Sequence, residues 1–271
     1  MTKKLIKNYY TEIVRKEWTR LVRDAYHLLE FNTTLHFLKK HLPKKGLILD
    51  AGGGPGRYTL ELAKQGYNVV LLDYSPGNVA FAKKQVKKAK LQKMVKEIAE
   101  GSIVDLSRFA DNSFDAVICT GGPLSHIMKK NERDKAISEL VRVAKKGAPL
   151  FVSVMSRISV FVSELKCFQH EIEHPLFKKI RNTGDYPGGY GFTACHFFLP
   201  EEFKAAFAKK NVKILEFVGL EGLGSHFEKK VNLLAKNKKR WKVWLETHYK
   251  FCSHPAVVGL SEHMLIVCKK K

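Results

Sequence analysis

Short apolar segments of strand length alternate with helical patterns through the middle of the chain. These apolar segments are residues 47–50, 69–73, 98–102, 114–119 and 150–155. Helical periodicity fills most of the stretches between them. Near-continuous apolar strands separated by helices are typical of a parallel sheet that is covered on both faces. The pattern therefore predicts a doubly wound α/β fold.

The flanking segments extend and cover this sheet. Helical periodicity runs through residues 5–42 and ends at the turn residues Pro43 and Gly46. The C-terminal part reads as a helix at 200–210, a strand at 214–218, a helical stretch at about 226–250 and a strand at 264–268. We expect a mostly parallel seven-stranded sheet with an antiparallel C-terminal strand, an N-terminal helical cap and a lid insertion after strand five.

The same pattern predicts four units along the chain. They are an N-terminal helical cap (1–45), a Rossmann-like core (46–155), a substrate lid insertion (156–198) and a C-terminal completion of the sheet with a helical insertion (199–271).

Composition indicates a globular, cytoplasmic protein. Of 271 residues, 45% are hydrophobic and 27% charged, a mix with which a chain of this length can bury a core. No apolar run approaches the ~20 residues of a membrane-spanning helix, and the start has no apolar signal-peptide core. The five cysteines are scattered without C-x-x-C spacing, which favours a reducing compartment.

A glycine-rich turn follows the first strand. Residues 50–56 read DAGGGPG, and the second strand ends in Asp73. Glycine lets a ligand approach the backbone closely, and the carboxyl ends of parallel strands are where ligands bind in this class of fold. An acidic side chain after strand two can accept hydrogen bonds from ribose hydroxyls. The turn therefore predicts a nucleoside site.

Two phosphate-binding alternatives fit this turn less well. The dinucleotide fingerprint G-x-G-x-x-G, started at Gly52, requires glycine where Arg57 stands, and Pro55 has no N–H to offer a pyrophosphate. A P-loop requires a G-K-[ST] sequence, which does not follow these glycines.

Residues 46–155 resemble the core of the class I S-adenosylmethionine-dependent methyltransferases. The segments that carry the resemblance are 47–56, 69–75, 100–103 and 114–121. The closing strand pair also fits that family. The resemblance implies a methyltransferase that uses S-adenosyl-L-methionine and releases S-adenosyl-L-homocysteine.

The resemblance also implies cofactor-binding residues. Gly52, Gly54 and Gly56 would face the methionine part and the ribose, Asp50 would lie near the cofactor's amino group, and Asp73 would hold the ribose hydroxyls.

Further positions complete this expected cofactor site. Tyr74 would border the adenine, and Ser102 and Ile103 occupy the positions where many members place an acidic residue and its successor, with Asp105 as a substitute acid. At the end of strand four, Thr120 and Gly121 would lie where the methionine end meets the acceptor.

The residues after strand four bear on the acceptor. Residues 120–124 read TGGPL, unlike the [DN]-P-P-[YFW] of enzymes that methylate amino groups of nucleic acids. Cys119 stands inside an apolar strand, which favours a buried thiol over a nucleophile. A protein-arginine enzyme would carry a pair of Glu on a loop, which we do not find. The sequence therefore predicts a small-molecule acceptor.

Two residues are candidates for catalysis. His126 follows strand four and would orient the acceptor or act as a base, and Tyr10, with Tyr9, would close the pocket from the N-terminal side. The alternatives are a surface or helix-capping histidine and a tyrosine that packs under the cap.

The net charge of +22 motivates an alternative acceptor, a tRNA or an rRNA. The densest lysine clusters lie at 83–96 and 236–242, yet the basic excess is spread along the whole chain. Solvated helix faces explain such a spread, so a nucleic-acid partner is not favoured.

The proposed lid contains two further motifs. Residues 170–174 read HEIEH, the spacing of a zinc-protease helix, but Pro175 follows at once and no third ligand has a recognisable spacing, so we predict no metal site. Residues 186–191 read YPGGYG and predict a mobile aromatic loop.

Overall fold

The computed structural model describes residues 2–189 and 191–271 and contains a seven-stranded sheet. Its strands are β1 (Leu47–Ala51), β2 (Asn68–Asp73), β3 (Val95–Glu100), β4 (Ala116–Cys119), β5 (Pro149–Met155), β8 (Val212–Gly219) and β9 (His263–Lys270). The order is β3-β2-β1-β4-β5-β9-β8, with β1 to β5 parallel and β9 antiparallel to both of its neighbours. The predicted fold class is confirmed.

Helices flank this sheet and also form part of the segment after β5. They are α1 (Thr2–Glu12), α2 (Val14–Arg20), α3 (His27–His41), α4 (Arg57–Lys64), α5 (Pro76–Lys88), α6 (Lys130–Val143), α7 (Arg157–Cys167), α8 (Pro175–Thr183), α9 (Pro200–Ala208), α10 (Glu228–Ala235), α11 (Lys238–Phe251) and α12 (Pro255–Val258). A small antiparallel pair, β6 (Asp185–Tyr186) and β7 (Cys195–His196), lies in the segment after β5.

Two predicted elements are corrected. The third strand begins at Val95 rather than at residue 98, because it lies at the edge of the sheet, where most of its side chains are half-buried or exposed and form no apolar run. The helical stretch near 226–250 is two helices, separated at Asn237, whose side chain accepts a hydrogen bond from the backbone N–H of Arg240 at 3.0 Å and begins α11.

The core is built on both faces of the sheet. Successive side chains of β1 point to opposite faces, so Leu49 packs with one buried cluster and Ile48 with the other. Phe151 of β5 lies in the second cluster and is fully buried. This two-sided burial explains why the central strands are almost continuously apolar.

A buried polar network anchors the segment after β5. His196 on β7 is buried and contacts Asp185 on β6 at 2.7 Å and Glu202 on α9 at 2.8 Å through its two ring nitrogens. Arg157 at the start of α7 also donates to Glu202, at 3.0 Å. These contacts tie the insertion to the C-terminal part of the chain.

No helix among residues 2–189 and 191–271 has the length and apolar character needed to span a membrane.

The core position of Phe151 gives a stability prediction. We expect Phe151→Ala to lower the free energy of unfolding by about 3–5 kcal/mol, because it removes a fully buried ring from the centre of the sheet. Chemical denaturation measures this change. The control is Phe168→Ala, since Phe168 is an exposed aromatic residue at the end of α7, and its effect should stay within about 0.5 kcal/mol. Equal effects of the two substitutions would contradict the described core.

Candidate active site

A cavity of about 490 Å³ opens at the carboxyl ends of the parallel strands. Its walls come from α1 and α2, from the turn after β1, and from the segments that follow β2, β3 and β4. Ligands of doubly wound folds bind at this edge of the sheet. The cavity is large enough for a nucleoside-sized ligand.

The glycine-rich turn forms the floor of the cavity. Gly52 has a φ of +77°, and a Cβ atom there would lie 2.5 Å from Pro123. Gly54 also lines the cavity, with a φ of +56°. Gly56 precedes α4, and a Cβ atom there would lie close to Ala82 and Leu71 in the core. It is not among the residues that line the cavity, so its predicted role toward the cofactor stays a prediction.

Asp73 holds the turns around it together. One carboxylate oxygen accepts hydrogen bonds from the backbone N–H of Ser75 at 2.9 Å and from the side chain of Asn78 at 3.1 Å. The other accepts from the backbone N–H of Gly54 at 2.8 Å. Burial raises the pKa of Asp73, against these hydrogen bonds, which lower it.

The wall beyond Asp73 contains the residues expected around the adenine. Tyr74, Ser102 and Ile103 all line the cavity. The hydroxyl of Ser102 accepts from the backbone N–H of Val104 at 3.2 Å. Asp105 does not line the cavity, and its carboxylate accepts a hydrogen bond from the backbone N–H of Ser107 at 3.1 Å.

Asp50 lies behind the glycine-rich turn rather than on the cavity wall. A Cβ atom on Gly53 would lie 2.6 Å from its carboxylate carbon. One oxygen accepts from the hydroxyl of Thr59 at 2.6 Å, and the other, Oδ1, is buried without a partner in the described part of the chain. Burial raises the pKa of Asp50 to about 7.

Tyr10 and His126 meet on the wall of the same cavity. The Tyr10 hydroxyl lies 2.6 Å from Nε2 of His126, and Nδ1 of His126 lies 3.0 Å from the carbonyl oxygen of Ala194. A carbonyl can only accept, so Nδ1 carries the proton, and in a neutral ring Nε2 accepts from Tyr10. Burial lowers the pKa of His126, which favours this neutral form.

The N-terminal helix and the insertion meet above this pair. The ring of Phe192 lies 5.7 Å from those of Tyr9 and His126. On the other side of α1, the hydroxyls of Thr11 and Ser75 lie 2.9 Å apart. Part of the predicted aromatic loop, Tyr190, lies outside the described residues.

Several polar residues on the wall escaped the sequence analysis, and three of them come from α2 and α5. Glu17 and Arg20 come from α2, with the Nε of Arg20 donating to Glu17 at 2.9 Å, and Asn78 comes from α5. A Cβ atom at Gly121 would lie 3.5 Å from the Arg20 guanidinium. The spacing of Glu17 and Arg20 on one helix was the available signal, yet it is equally typical of a solvent-exposed ion pair.

The two histidines of the HEIEH motif do not share a helix. His170 lies exposed in a short 3-10 turn (Gln169–Glu171), whereas His174 precedes α8 as its N-terminal cap. Neither belongs to the groups of His, Cys, Asp and Glu that converge within the described residues.

Comparison with known proteins identifies the domain that contains the cavity. Residues 49–152 match the family model described as a methyltransferase domain. The glycine/sarcosine N-methyltransferase of Parasynechococcus marenigrum is 29% identical over 53% of this chain and 49% of the relative. The demethylmenaquinone methyltransferase of Renibacterium salmoninarum is 35% identical over 52% of this chain and 48% of the relative. The chain thus spans about half the length of these relatives.

A solved structure shows the same fold. The chain is similar to an S-adenosylmethionine-dependent methyltransferase from Methanosarcina mazei, with a TM-score of 0.60, 22% identity, and coverage of 86% of this chain and 96% of the other. Residues 49–152 therefore carry a methyltransferase domain, and the fold is shared with an S-adenosylmethionine-dependent methyltransferase. The domain match and the shared fold support the predicted enzyme class and cofactor.

The raised pKa of Asp50 gives a pH-dependent prediction. Between about pH 4 and 7 the folded protein retains a proton on Asp50 that the unfolded chain releases, so this residue lowers stability as the pH rises. We expect Asp50→Asn to be more stable than the wild type at pH 8 by roughly 1–3 kcal/mol, and equal to it at pH 4. Urea unfolding at both pH values measures the difference. If Asp50→Asn is less stable than the wild type at pH 8, the raised pKa of Asp50 is contradicted.

Proposed function

We propose that this protein transfers the methyl group of S-adenosylmethionine to a small-molecule acceptor. The observation that carries the proposal is a single cavity that joins Asp73 and the glycine-rich turn at one side to the Tyr10–His126 pair at the other. Two relatives support a small acceptor, since one is named for glycine and sarcosine and the other for demethylmenaquinone.

Unpartnered polar atoms around the cavity fit the cofactor. Asn78 Oδ1 and Thr120 Oγ1 are buried, belong to wall residues and have no partner in the described part of the chain. Asp50 Oδ1 is equally unpartnered behind the turn. Buried polar groups are normally hydrogen-bonded. Hydroxyl and amino groups of the cofactor supply the missing donors, so the residues present fit this molecule.

The proposed cofactor residues divide by position. Asp73 would hold the ribose hydroxyls, since each of its oxygens can accept more than the described hydrogen bonds. Tyr74, Ser102 and Ile103 would border the adenine. Gly52, Gly54, Thr120 and Gly121 would border the methionine end, and Asp50 would compensate the cofactor's amino group across the turn.

The Tyr10–His126 pair would manage the acceptor's proton. When bound, the cofactor supplies an activated methyl group on a sulfonium that leaves as a neutral thioether. An acceptor that carries a proton must lose it to become a nucleophile. Tyr10 can pass such a proton to the unprotonated Nε2 of His126, 2.6 Å away, while the Ala194 carbonyl holds the ring in this tautomer.

RNA has no comparable support as an acceptor. The lysines of α5 lie on its exposed face, and neither lysine cluster contributes to the cavity wall among the described residues. These two clusters therefore do not extend to the proposed methyl-transfer site. The lysines that do line the cavity are Lys3, Lys7 and Lys129, of which Lys3 and Lys7 are paired with Glu132 and Glu100.

The role of Asp73 predicts a loss of cofactor affinity. We expect Asp73→Asn to weaken binding of S-adenosylhomocysteine by about 10- to 100-fold, because the amide cannot accept charge-assisted hydrogen bonds at both oxygens. Isothermal titration calorimetry measures the dissociation constant. Asp105→Asn is the matched control, since this exposed carboxylate lies near the cavity in sequence but not on its wall, and its affinity should match the wild type. Unchanged binding in Asp73→Asn would refute the assignment.

The proposed proton relay predicts a rate effect and a pH profile. For an acceptor that must lose a proton, we expect Tyr10→Phe and His126→Gln to lower kcat by about 100-fold or more while leaving cofactor affinity within a few-fold. The wild-type kcat/KM should fall at acid pH with a midpoint below 6.5, because burial lowers the pKa of His126 and the protonated ring cannot accept. This limb should vanish in His126→Gln.

Radiolabelled methyl transfer at several pH values makes the test. His170→Gln is the control, because His170 is exposed and remote from the cavity wall. Full activity in both Tyr10→Phe and His126→Gln would rule out the relay.

A further inference from the structure

A carboxylate on the cavity wall has spare hydrogen-bonding capacity. Glu17 is mostly buried, with 20% of its side chain exposed, and its Oε1 accepts from the Nε of Arg20 at 2.9 Å. No donor among residues 2–189 and 191–271 reaches its Oε2. Glu17 lines the same cavity as Tyr10, His126 and Asp73, and beside the larger effect of burial its charge raises the pKa of all three.

The charge of Arg20 is already matched by a second carboxylate. Besides Glu17, the guanidinium donates through both terminal nitrogens to Glu30, a buried residue of α3. His263, whose pKa is raised to about 9, lies 3.7 Å from Glu30 and 2.7 Å from Glu221, so these two cations and three carboxylates sum to one negative charge. Glu17 belongs to the cavity wall and Glu30 does not, so an added anion would meet the carboxylate of Glu17, whereas an added cation would balance it. Two lysines of the same wall, Lys3 and Lys7, are already paired with Glu132 and Glu100.

A separate feature of the same wall also indicates a missing hydrogen-bond donor. Thr120 at the end of β4 is buried, and its Oγ1 has no partner within the described part of the chain although it borders the cavity. Its neighbour Gly121 lies against the Arg20 guanidinium. The cofactor's methionine end is also proposed to border Thr120, so an acceptor with several N–H donors, bound beside that end, would supply donors to the same wall.

We propose that the methyl acceptor is an amine that binds in its ammonium form against Glu17. The proposal rests on the proposed methyltransferase function and specifies its substrate class. A neutral alcohol would leave the net negative charge around Glu17 unbalanced, because Arg20 is shared with Glu30, and a carboxylate acceptor would be repelled by Glu17.

The described residues account for each proton and electron pair in methyl transfer to such an amine. The ammonium first gives one proton to the Tyr10 oxygen as Tyr10 passes its own to Nε2 of His126. The nitrogen lone pair then forms a bond to the methyl carbon, and the carbon–sulfur bond breaks with its electron pair remaining on sulfur. The products are the methylated ammonium and the neutral thioether, and the proton on His126 returns to solvent after product release.

A competing role for Glu17 is to hold the amino group of the cofactor itself. The methionine part is a zwitterion, and Arg20 with Glu17 offers one charge of each sign. The two roles differ in measurable ways, since loss of a cofactor contact weakens S-adenosylhomocysteine binding, whereas loss of an acceptor contact leaves it unchanged.

The experiment uses the full chain and two matched sets of probes. One set is phenethylamine, phenethyl alcohol and phenylacetate, and the other is ethylamine, ethanol and acetate. Labelled methyl transfer from S-adenosylmethionine gives kcat/KM for each probe, and calorimetry gives the dissociation constant of S-adenosylhomocysteine. We expect at least one amine to exceed its matched alcohol and carboxylate at least tenfold.

The variant Glu17→Gln then tests whether Glu17 contacts the acceptor or the cofactor. We expect it to lower kcat/KM for the preferred amine at least tenfold while S-adenosylhomocysteine affinity stays within threefold of the wild type. Glu12→Gln, at an exposed end of α1, is the matched control and should change neither quantity. A tenfold loss of S-adenosylhomocysteine affinity in Glu17→Gln would overturn the proposal in favour of the cofactor role.

Two further outcomes would also overturn it. One is methylation of an alcohol or a carboxylate as fast as its matched amine, and the other is failure of both amines. Wild-type binding of S-adenosylhomocysteine separates these outcomes from a failure of the methyltransferase function, because the cofactor product binds whenever that function is correct.

Discussion

The carboxylate of Asp73 is the contact on which the arrangement of the site depends. It accepts hydrogen bonds from the glycine-rich turn, from the backbone before α5 and from the side chain of Asn78. Burying a carboxylate is costly unless hydrogen bonds compensate it, and here three donors do so. The same contact fixes the distance between the turns after β1 and β2, which together form the floor and one wall of the cavity.

The opposite wall depends on a contact between distant parts of the chain. Tyr10 comes from the N-terminal helix, His126 follows β4, and the carbonyl of Ala194 that sets the tautomer of His126 belongs to the segment after β5. Phe192 from that segment packs against the rings of Tyr9 and His126. The N-terminal helix and the segment after β5 therefore also position the Tyr10–His126 pair and set its protonation.

The sequence pattern indicated those candidate site residues that directly follow predicted strands. The glycines at 52 and 54 and the acid at 73 stand at strand ends, where periodicity alone shows that they meet. Sequence cannot distinguish a glycine that approaches a ligand from one that approaches a helix, and Ala82 lies beside Gly56. Nor can it show that the carboxylate of Asp105 accepts a hydrogen bond within its own turn. Glu17 and Arg20 could not be found, since the contact that places Arg20 beside Gly121 joins residues far apart in sequence.

A crystal structure of the protein with S-adenosylhomocysteine tests the central claim most directly. The account predicts that both ribose hydroxyls lie within hydrogen-bond distance of the Asp73 carboxylate, with the methionine end beside Gly52 and Thr120. A cavity that stays empty at millimolar S-adenosylhomocysteine, or a ribose bound away from Asp73, would contradict it.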